Sequence, residues 1–238
     1  MSMERGTPPR SRLMETGSLY IVSTPIGNLG DMTYRAVDTL KQVDLIAAED
    51  TRVSGRLLKH FQIDTPMLPY HDHNKEQVTP AFIQRLKAGH TVALITDAGT
   101  PLVSDPGFYL VRAAIQEDIR VVPIPGASAL LAGLVAAGLP SDRFTFEGFL
   151  PRKKGRQTRF HLLENDPRTI ILYESPHRIQ KTLKDIQDHL GDRYVVVARE
   201  MTKHYEEFIR GRIGEVRERL STRSIKGEVI IMIGGPKV

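Results

Sequence analysis

The run Asp97-Ala98-Gly99-Thr100-Pro101-Leu102-Val103-Ser104-Asp105-Pro106-Gly107 places acids, hydroxyls and free backbone amides in one loop. It is longer and chemically richer than a connection between two elements requires, so it reads as a ligand loop. Three further turn-rich segments follow apolar runs in the same way: Thr24 to Gly27, Pro125 to Ala129 and Tyr173 to His177. Open α/β sheets bind ligands at the ends of their strands, where such turns lie. Singly each is an ordinary turn, because glycine and proline make turns. Together they outline a cleft. Pro125-Gly126-Ala127-Ser128-Ala129 adds a small-residue turn at a helix start, which lets a flat ligand approach the backbone closely.

A second group of residues could do other chemistry. His71-Asp72-His73-Asn74 would bring two imidazoles to one face of an extended segment, but no third ligand is near in sequence, so contact with a substrate is favoured over a metal and none is expected. Arg152-Lys153-Lys154-Gly155-Arg156 with Arg159 concentrates cations between Phe149 and Phe160. It reads either as a solvated loop or as a strip that grips phosphates, positioning a nucleic acid without reading its sequence.

Other chemistries are excluded. No Gly-Lys dipeptide occurs, so there is no phosphate-cradling P-loop. The first strand-to-helix turn reads Thr24-Pro25-Ile26-Gly27-Asn28-Leu29-Gly30 and lacks the Gly-x-Gly of dinucleotide-binding folds. There is neither a zinc-protease helix motif nor a Gly-x-Ser-x-Gly elbow. With no cysteine, disulfides, thiolate metal sites and cysteine nucleophiles are impossible.

The elements that must position these groups alternate. Leu19–Val22, Leu45–Ala48, Val92–Thr96 and Val121–Ile124 are short aliphatic runs, suited to a parallel sheet covered on both faces. Helices are expected over Thr33–Gln42, Gln77–Ala88, Phe108–Ile115 and Ser128–Ala137, the third with Asp105 as its cap and Pro106 in its first turn. After Gly138-Leu139-Pro140 the pattern changes, with Phe144, Phe146 and Phe149 alternating, strands at Thr169–Tyr173, Tyr194–Ala198 and Glu228–Ile233, and helices at Ile179–Leu190 and Glu215–Leu220. The expected division is a flexible N-terminal arm over residues 1–17, an α/β domain over 18–125 and a second α/β domain, mixed in strand direction, over 126–238.

A hydrophobic fraction of 40% and a charged fraction of 26% among 238 residues are ordinary globular values, and no apolar run is long enough to span a bilayer. The N-terminus lacks the apolar core of a secretory signal, so a cytoplasmic protein with no membrane partner is expected. The net charge of +5 attracts polyanions, RNA among them.

Eight strings in order carry a family resemblance: Pro25-Ile26-Gly27-Asn28-Leu29, Ala47 to Arg52, His71 to Asn74, Asp97 to Gly107, Pro140 to Arg143, Glu147 to Pro151, Tyr173 to Arg178 and Ala198-Arg199-Glu200. On them the chain resembles the tetrapyrrole-methylase-like fold and, within it, the 16S ribosomal RNA ribose 2′-O-methyltransferase I group. The resemblance implies a two-lobed α/β homodimer with S-adenosylmethionine in the cleft between lobes and a cytidine ribose of the 16S decoding region as target, on free RNA or the small subunit. By similarity the cofactor would touch Pro25, Asp97, Ala98, Gly99, Thr100, Val103, Ser128, Ala129, Tyr173, Ala198, Gly227 and Glu228. Longer members carry a helical extension beyond the position of Gly235, and Met201 stands where leucine is expected.

Methyl transfer from a sulfonium asks mainly for alignment and water exclusion, with a base to take the hydroxyl proton late. Glu174, Glu49, Asp50 and Lys203 are the candidates. Glu174 follows an apolar strand, where burial would raise its pKa, or it pairs with Arg178 four residues on. For RNA, Arg52, His71, Arg152, Lys153, Lys154, Arg156 and Arg159 are the candidates, with Phe149, Tyr70 or His71 available to stack on a base. Arg52 and Arg199 sit beside acids, so ion pairing within the fold competes with phosphate binding. Two alternatives stay open: methylation of a tetrapyrrole ring, and a non-catalytic RNA-binding assembly factor.

Overall fold

A computed structural model describes residues 17–237; residues 1–16 of the expected arm lie outside the described residues. The first lobe runs β1 (Ser18–Val22), α1 (Tyr34–Gln42), β2 (Leu45–Ala48), α2 (Thr51–His60), β3 (Met67–Pro69), α3 (Lys75–Lys87), β4 (Val92–Ile95), α4 (Phe108–Gln116) and β5 (Arg120–Ile124). All its pairings are parallel, in the order β3-β2-β4-β1-β5. The near-continuous apolar strands follow from burial on both faces. Leu45, Ala47, Val92 and Leu94 pack with Phe82, Leu86 and Leu110 of α3 and α4. Ile46, Ala48, Ala93 and Ile95 pack with Ala36, Leu40 and Leu58 of α1 and α2. Each fully buried aliphatic side chain contributes roughly 1.5–3 kcal/mol. The edge strands each carry a proline, Pro69 in β3 and Pro123 in β5.

The second lobe runs α5 (Ala129–Ala137), β6 (Phe144–Phe149), α6 (Arg156–Leu163), β7 (Thr169–Glu174), α7 (Ile179–Leu190), β8 (Tyr194–Arg199), β9 (Glu207–Arg212), α8 (Ile213–Ser221) and β10 (Val229–Ile233). Its sheet, β6-β7-β10-β8-β9, is mixed: β6 and β7 are parallel, and β10 and β9 lie antiparallel to their neighbours. Ile170, Leu172, Val195 and Val197 face α6, α7 and α8, whereas Ile171, Tyr173, Val196 and Met232 face α5.

Most expected elements form within a residue or two of their expected bounds. Thr33 caps α1, its hydroxyl accepting from the Ala36 N–H at 3.1 Å. Asp105 does not cap α4. Gly107 holds that position at φ +140°, where a Cβ would come 2.7 Å from Leu94, and no side chain bonds the first turn. Four elements have no counterpart in the sequence reading: α2, β3, α6 and β9. Here Gly55 interrupts the helical pattern of α2, β3 has three residues, and α6 lies inside the cationic strip read as a loop.

Candidate functional site

The loops that follow β1, β4 and β5 are sewn together at one end of the first sheet. Thr24 and Gly99 exchange both backbone hydrogen bonds, at 2.8 and 3.0 Å, as an isolated bridge. The Thr24 hydroxyl donates to Thr96 O at 3.1 Å. The Thr100 hydroxyl donates to Ala127 O at 3.1 Å and lies 3.0 Å from that of Ser23. Gly99 at φ +84° has Ile26 close enough to crowd any Cβ, and Gly126 sits against Ser23, so small residues let these backbones meet. The second lobe closes the cleft. The Leu130 N–H donates to the Tyr173 hydroxyl at 3.1 Å, and Gly148 of β6 lies against Ser104, whose Oγ would be 2.7 Å from a Cβ there.

Between the lobes is a cavity of about 270 Å³. Of the residues that the resemblance assigns to the cofactor, Asp97, Ala98, Gly99, Thr100 and Val103 line it from the first lobe. Ser128, Ala129, Tyr173 and Glu228 line it from the second. Pro25, Ala198 and Gly227 do not reach the wall. Pro25 and Ala198 are buried, and their neighbours Ile26 and Arg199 face the cavity. Gly227, at φ +76°, abuts the Glu200 carboxylate, leaving no room for a Cβ. Glu200, Met201, Ser104 and Asp105 also line the cavity and were missed, except that the last two lie within the loop singled out by its length.

The cavity is acidic. Glu49, Asp97, Asp105 and Glu228 line it, and the first two are linked because the Asp97 N–H donates to Glu49 Oε2 at 3.3 Å. Burial raises the Glu49 carboxyl above its ordinary value, helped by repulsion from Asp97, Asp72 and Asp50 and opposed by the Asp97 N–H. Burial also raises Asp97, with Asp50 adding repulsion. Asp105 moves furthest, to about 7, through burial and then the charges of Glu49, Glu228 and Asp97. Tyr173, buried beside Asp105 and Glu228, is pushed up to about 12 and stays neutral.

Among the base candidates, Glu49 and Lys203 line the cavity; Asp50 and Glu174 do not. Asp50 caps α2, accepting from the Arg52 N–H at 2.8 Å, and Arg52 holds its carboxyl well below the usual range. Glu174 is 1% exposed and turned into the second lobe, accepting from the Ser175 N–H at 2.8 Å and the Thr182 hydroxyl at 2.5 Å, with Arg178 at 3.2 Å. The ion pair that the Glu174–Arg178 spacing offered forms in the structure. The Lys203 stem lies over Gly27, which leaves no space for a Cβ, and its ammonium bonds Glu200 at 3.0 Å.

The cationic strip divides. Arg152, Lys153 and Lys154 are exposed around an open notch also lined by Lys181 and His189. Arg156 is buried: its guanidinium bonds Asp185 at 2.7 Å, the Thr182 hydroxyl at 2.8 Å and Pro151 O at 3.2 Å, and covers the Phe160 ring. It supports α6 and is not available to a phosphate. Arg159 is half-exposed, 3.6 Å from Glu147. Arg52 is exposed but paired to Asp50. His71 opens the turn before α3, its ring edge-on to His73 at 6.0 Å. No group of three or more metal-ligating side chains occurs among the described residues. Tyr70 is fully buried, its hydroxyl accepting from the Leu110 N–H, so it cannot stack on a base.

The chemistry of this lining suits a ligand with a cationic centre, an anionic end and a flat apolar part. The acids meet the cation and the small-residue floor admits a flat ring. Arg199, pairing with Glu207 through Nη1 at 3.1 Å, keeps a buried Nε with no hydrogen-bond partner among the described residues. That donor fits an acceptor such as a carboxylate.

The family model for tetrapyrrole (corrin/porphyrin) methylases matches residues 18–217. Proteins described as ribosomal RNA small subunit methyltransferase I are similar along nearly the whole chain. The one from Synechocystis sp. is 53% identical over 221 residues, covering 92% of this chain and 79% of that protein. The one from Haemophilus influenzae is 52% identical over 224 residues, with the same coverage of 92% and 79%. Among solved structures, the uroporphyrin-III C-methyltransferase of Thermus thermophilus, complexed with S-adenyl homocysteine, shares the fold at a TM-score of 0.63 and 18% identity, covering 92% of this chain and 97% of that one.

Proposed function

Because the chain belongs to the tetrapyrrole (corrin/porphyrin) methylase family and, within it, to the ribosomal RNA small subunit methyltransferase I group, we propose that it methylates a ribose 2′-hydroxyl of a cytidine in 16S ribosomal RNA. S-adenosylmethionine, bound in the cleft, would supply the methyl group as a sulfonium. The observation that carries this reading is the acidic cavity between lobes, lined by nine of the twelve residues assigned to that cofactor.

In this reading the carboxylates of Glu49, Asp97, Asp105 and Glu228 favour a cation, and the unpartnered Arg199 Nε receives an anionic end. Ser128 and Ala129 bring the start of α5 to the cleft floor with no bulky side chain in the way. Transfer from a sulfonium neutralises charge, so these residues act chiefly by holding the reacting atoms in line in a site from which water is displaced. Glu49 and Asp105, both raised by burial, are the carboxylates placed to accept the proton that the ribose hydroxyl loses. Arg152, Lys153 and Lys154 carry phosphates of the RNA.

No helix among the described residues is long and apolar enough to cross a membrane. A cytoplasmic homodimer fits this reading. Leu131 and Val135, 52% and 78% exposed and four residues apart on α5, supply an apolar face for a second copy.

The experiment is transfer of labelled methyl from S-adenosylmethionine to unmodified small subunits, to free 16S RNA and to uroporphyrinogen. Label in RNA at a ribose supports the proposal. Label only in the tetrapyrrole overturns it in favour of the other activity of this fold, and no transfer with no cofactor binding leaves an RNA-binding factor.

A further inference from the structure

Phe149 stands out among the large apolar side chains of the cleft because 48% of it is exposed. Its position is set by an irregularity in β6. Phe144 and Phe146 pair with Thr169 and Ile171 of β7, but an extra residue then shifts the register, so that Gly148 pairs with Leu172 and Phe149 with Tyr173. Ile171 and Tyr173 share the face that looks toward α5 and the cleft. In an unbroken strand Phe149 would fall on the opposite face, with Thr145 and Glu147, under α6. The bulge returns it to the cleft side, which is how bulges redirect side chains next to binding sites. Gly148 permits this at φ +59°, a conformation that favours glycine.

The ring is also braced. Phe149 meets Tyr173 edge to face at 5.6 Å, Tyr173 meets Phe146 at 5.0 Å, and the Tyr173 hydroxyl is fixed by the Leu130 N–H. One side of a rigid aromatic cluster is thus left open beside the cavity, and the cations Arg152 to Lys154 begin three residues later in the chain. An exposed aromatic face followed closely in the chain by exposed cations offers what an unstacked nucleotide requires: a surface for the base and a charge for the backbone.

We propose that Phe149 is the platform on which the base of the target nucleotide stacks, so that its ribose points into the cleft. The proposal rests on the RNA reading above and adds a specificity residue to it. The rival occupant of the same ring face is the adenine of the cofactor.

The chain contains no tryptophan, so Phe149→Trp introduces a single indole at the site. Its emission is followed on adding cofactor alone, then a small-subunit RNA fragment that the wild-type chain methylates, then the same fragment with an abasic ribose at the modified position. Quenching by the intact fragment and not by the abasic one is expected. In parallel, Phe149→Leu is expected to lower kcat/KM for RNA roughly 10- to 100-fold with unchanged cofactor affinity, and Phe149→Tyr to restore it. Quenching by cofactor alone, equal quenching by both fragments, or full activity of Phe149→Leu overturns the platform while leaving the methyltransferase reading intact. If the wild type methylates no RNA, that reading fails and the platform with it.

Discussion

The guanidinium of Arg178 stands 3.2 Å from the carboxylate of Glu174, across the first turn after β7. The acid is 1% exposed and the arginine also reaches Leu150 O at 2.9 Å, so the pair ties α7 to the chain leaving β6. Removing Arg178 leaves the buried carboxylate without its counter-charge, which costs about 3–5 kcal/mol. Arg178→Ala should lose that much in urea unfolding, and Glu174→Gln should keep methyl transfer per folded molecule within a few-fold of wild type. A variant that is stable yet inactive would return Glu174 to the reaction.

Arg156 and its neighbours Lys153 and Lys154 should separate by measurement. Arg156→Ala leaves Asp185 and the Thr182 hydroxyl short of a partner in the interior and should destabilise the fold by about 2–4 kcal/mol. Lys153→Ala with Lys154→Ala should change stability by less than about 0.5 kcal/mol, as exposed substitutions do. The double variant should weaken RNA binding and flatten its dependence on log salt by about one for each phosphate that the lysines no longer neutralise. An unchanged slope would remove the strip from the interface.

Asp105 links stability to pH. Its carboxyl rises from 3.8 to about 7 on folding, so between those values the folded chain holds a proton that the unfolded chain has released. Stability from this group is therefore greatest below about pH 4, falls as pH rises toward 7 and is level above it. Discounted for its partial exposure, the fall is on the order of 1–3 kcal/mol. Asp105→Asn mimics the neutral acid and should abolish this component in denaturant titrations at pH 5 and pH 8. Equal slopes in wild type and variant would show that Asp105 titrates normally.

Gly148 should tolerate no side chain without cost. Gly148→Ala places a Cβ at φ +59° and 2.7 Å from Ser104 Oγ, and should lose about 1–2 kcal/mol. Because the bulge sets the face of Phe149, RNA turnover should fall more than stability does. Loss of stability alone, with turnover intact, would mean the strand keeps its register by another route.

Most strands were legible because each is a short aliphatic run, and runs such as Leu45–Ala48 bury both faces and need no partner to be recognised. The loop from Asp97 to Gly107 stood out by its length and its polar groups, and residues along it line the cavity. What escaped was decided by residues distant in sequence. Arg156 reads like Lys153 until Asp185, on α7, is brought beside it. Asp105-Pro106 before an apolar run reads as a helix cap, yet Gly107 takes the cap position and Asp105 turns to the cleft. Phe144, Phe146 and Phe149 read as one alternation, although the last two are three residues apart, and the register shift before Gly148 takes up the extra residue.

The prolines of β3 and β5 have a consequence for how copies of this chain can meet. Pro69 and Pro123 each remove a backbone donor from an outer strand of the first sheet, so neither edge can offer a full ladder to an incoming strand. Fibre-like growth from this lobe is blocked at both ends. Any second copy that settles on it must recognise side chains, which confines pairing to surfaces that selection can tune one residue at a time.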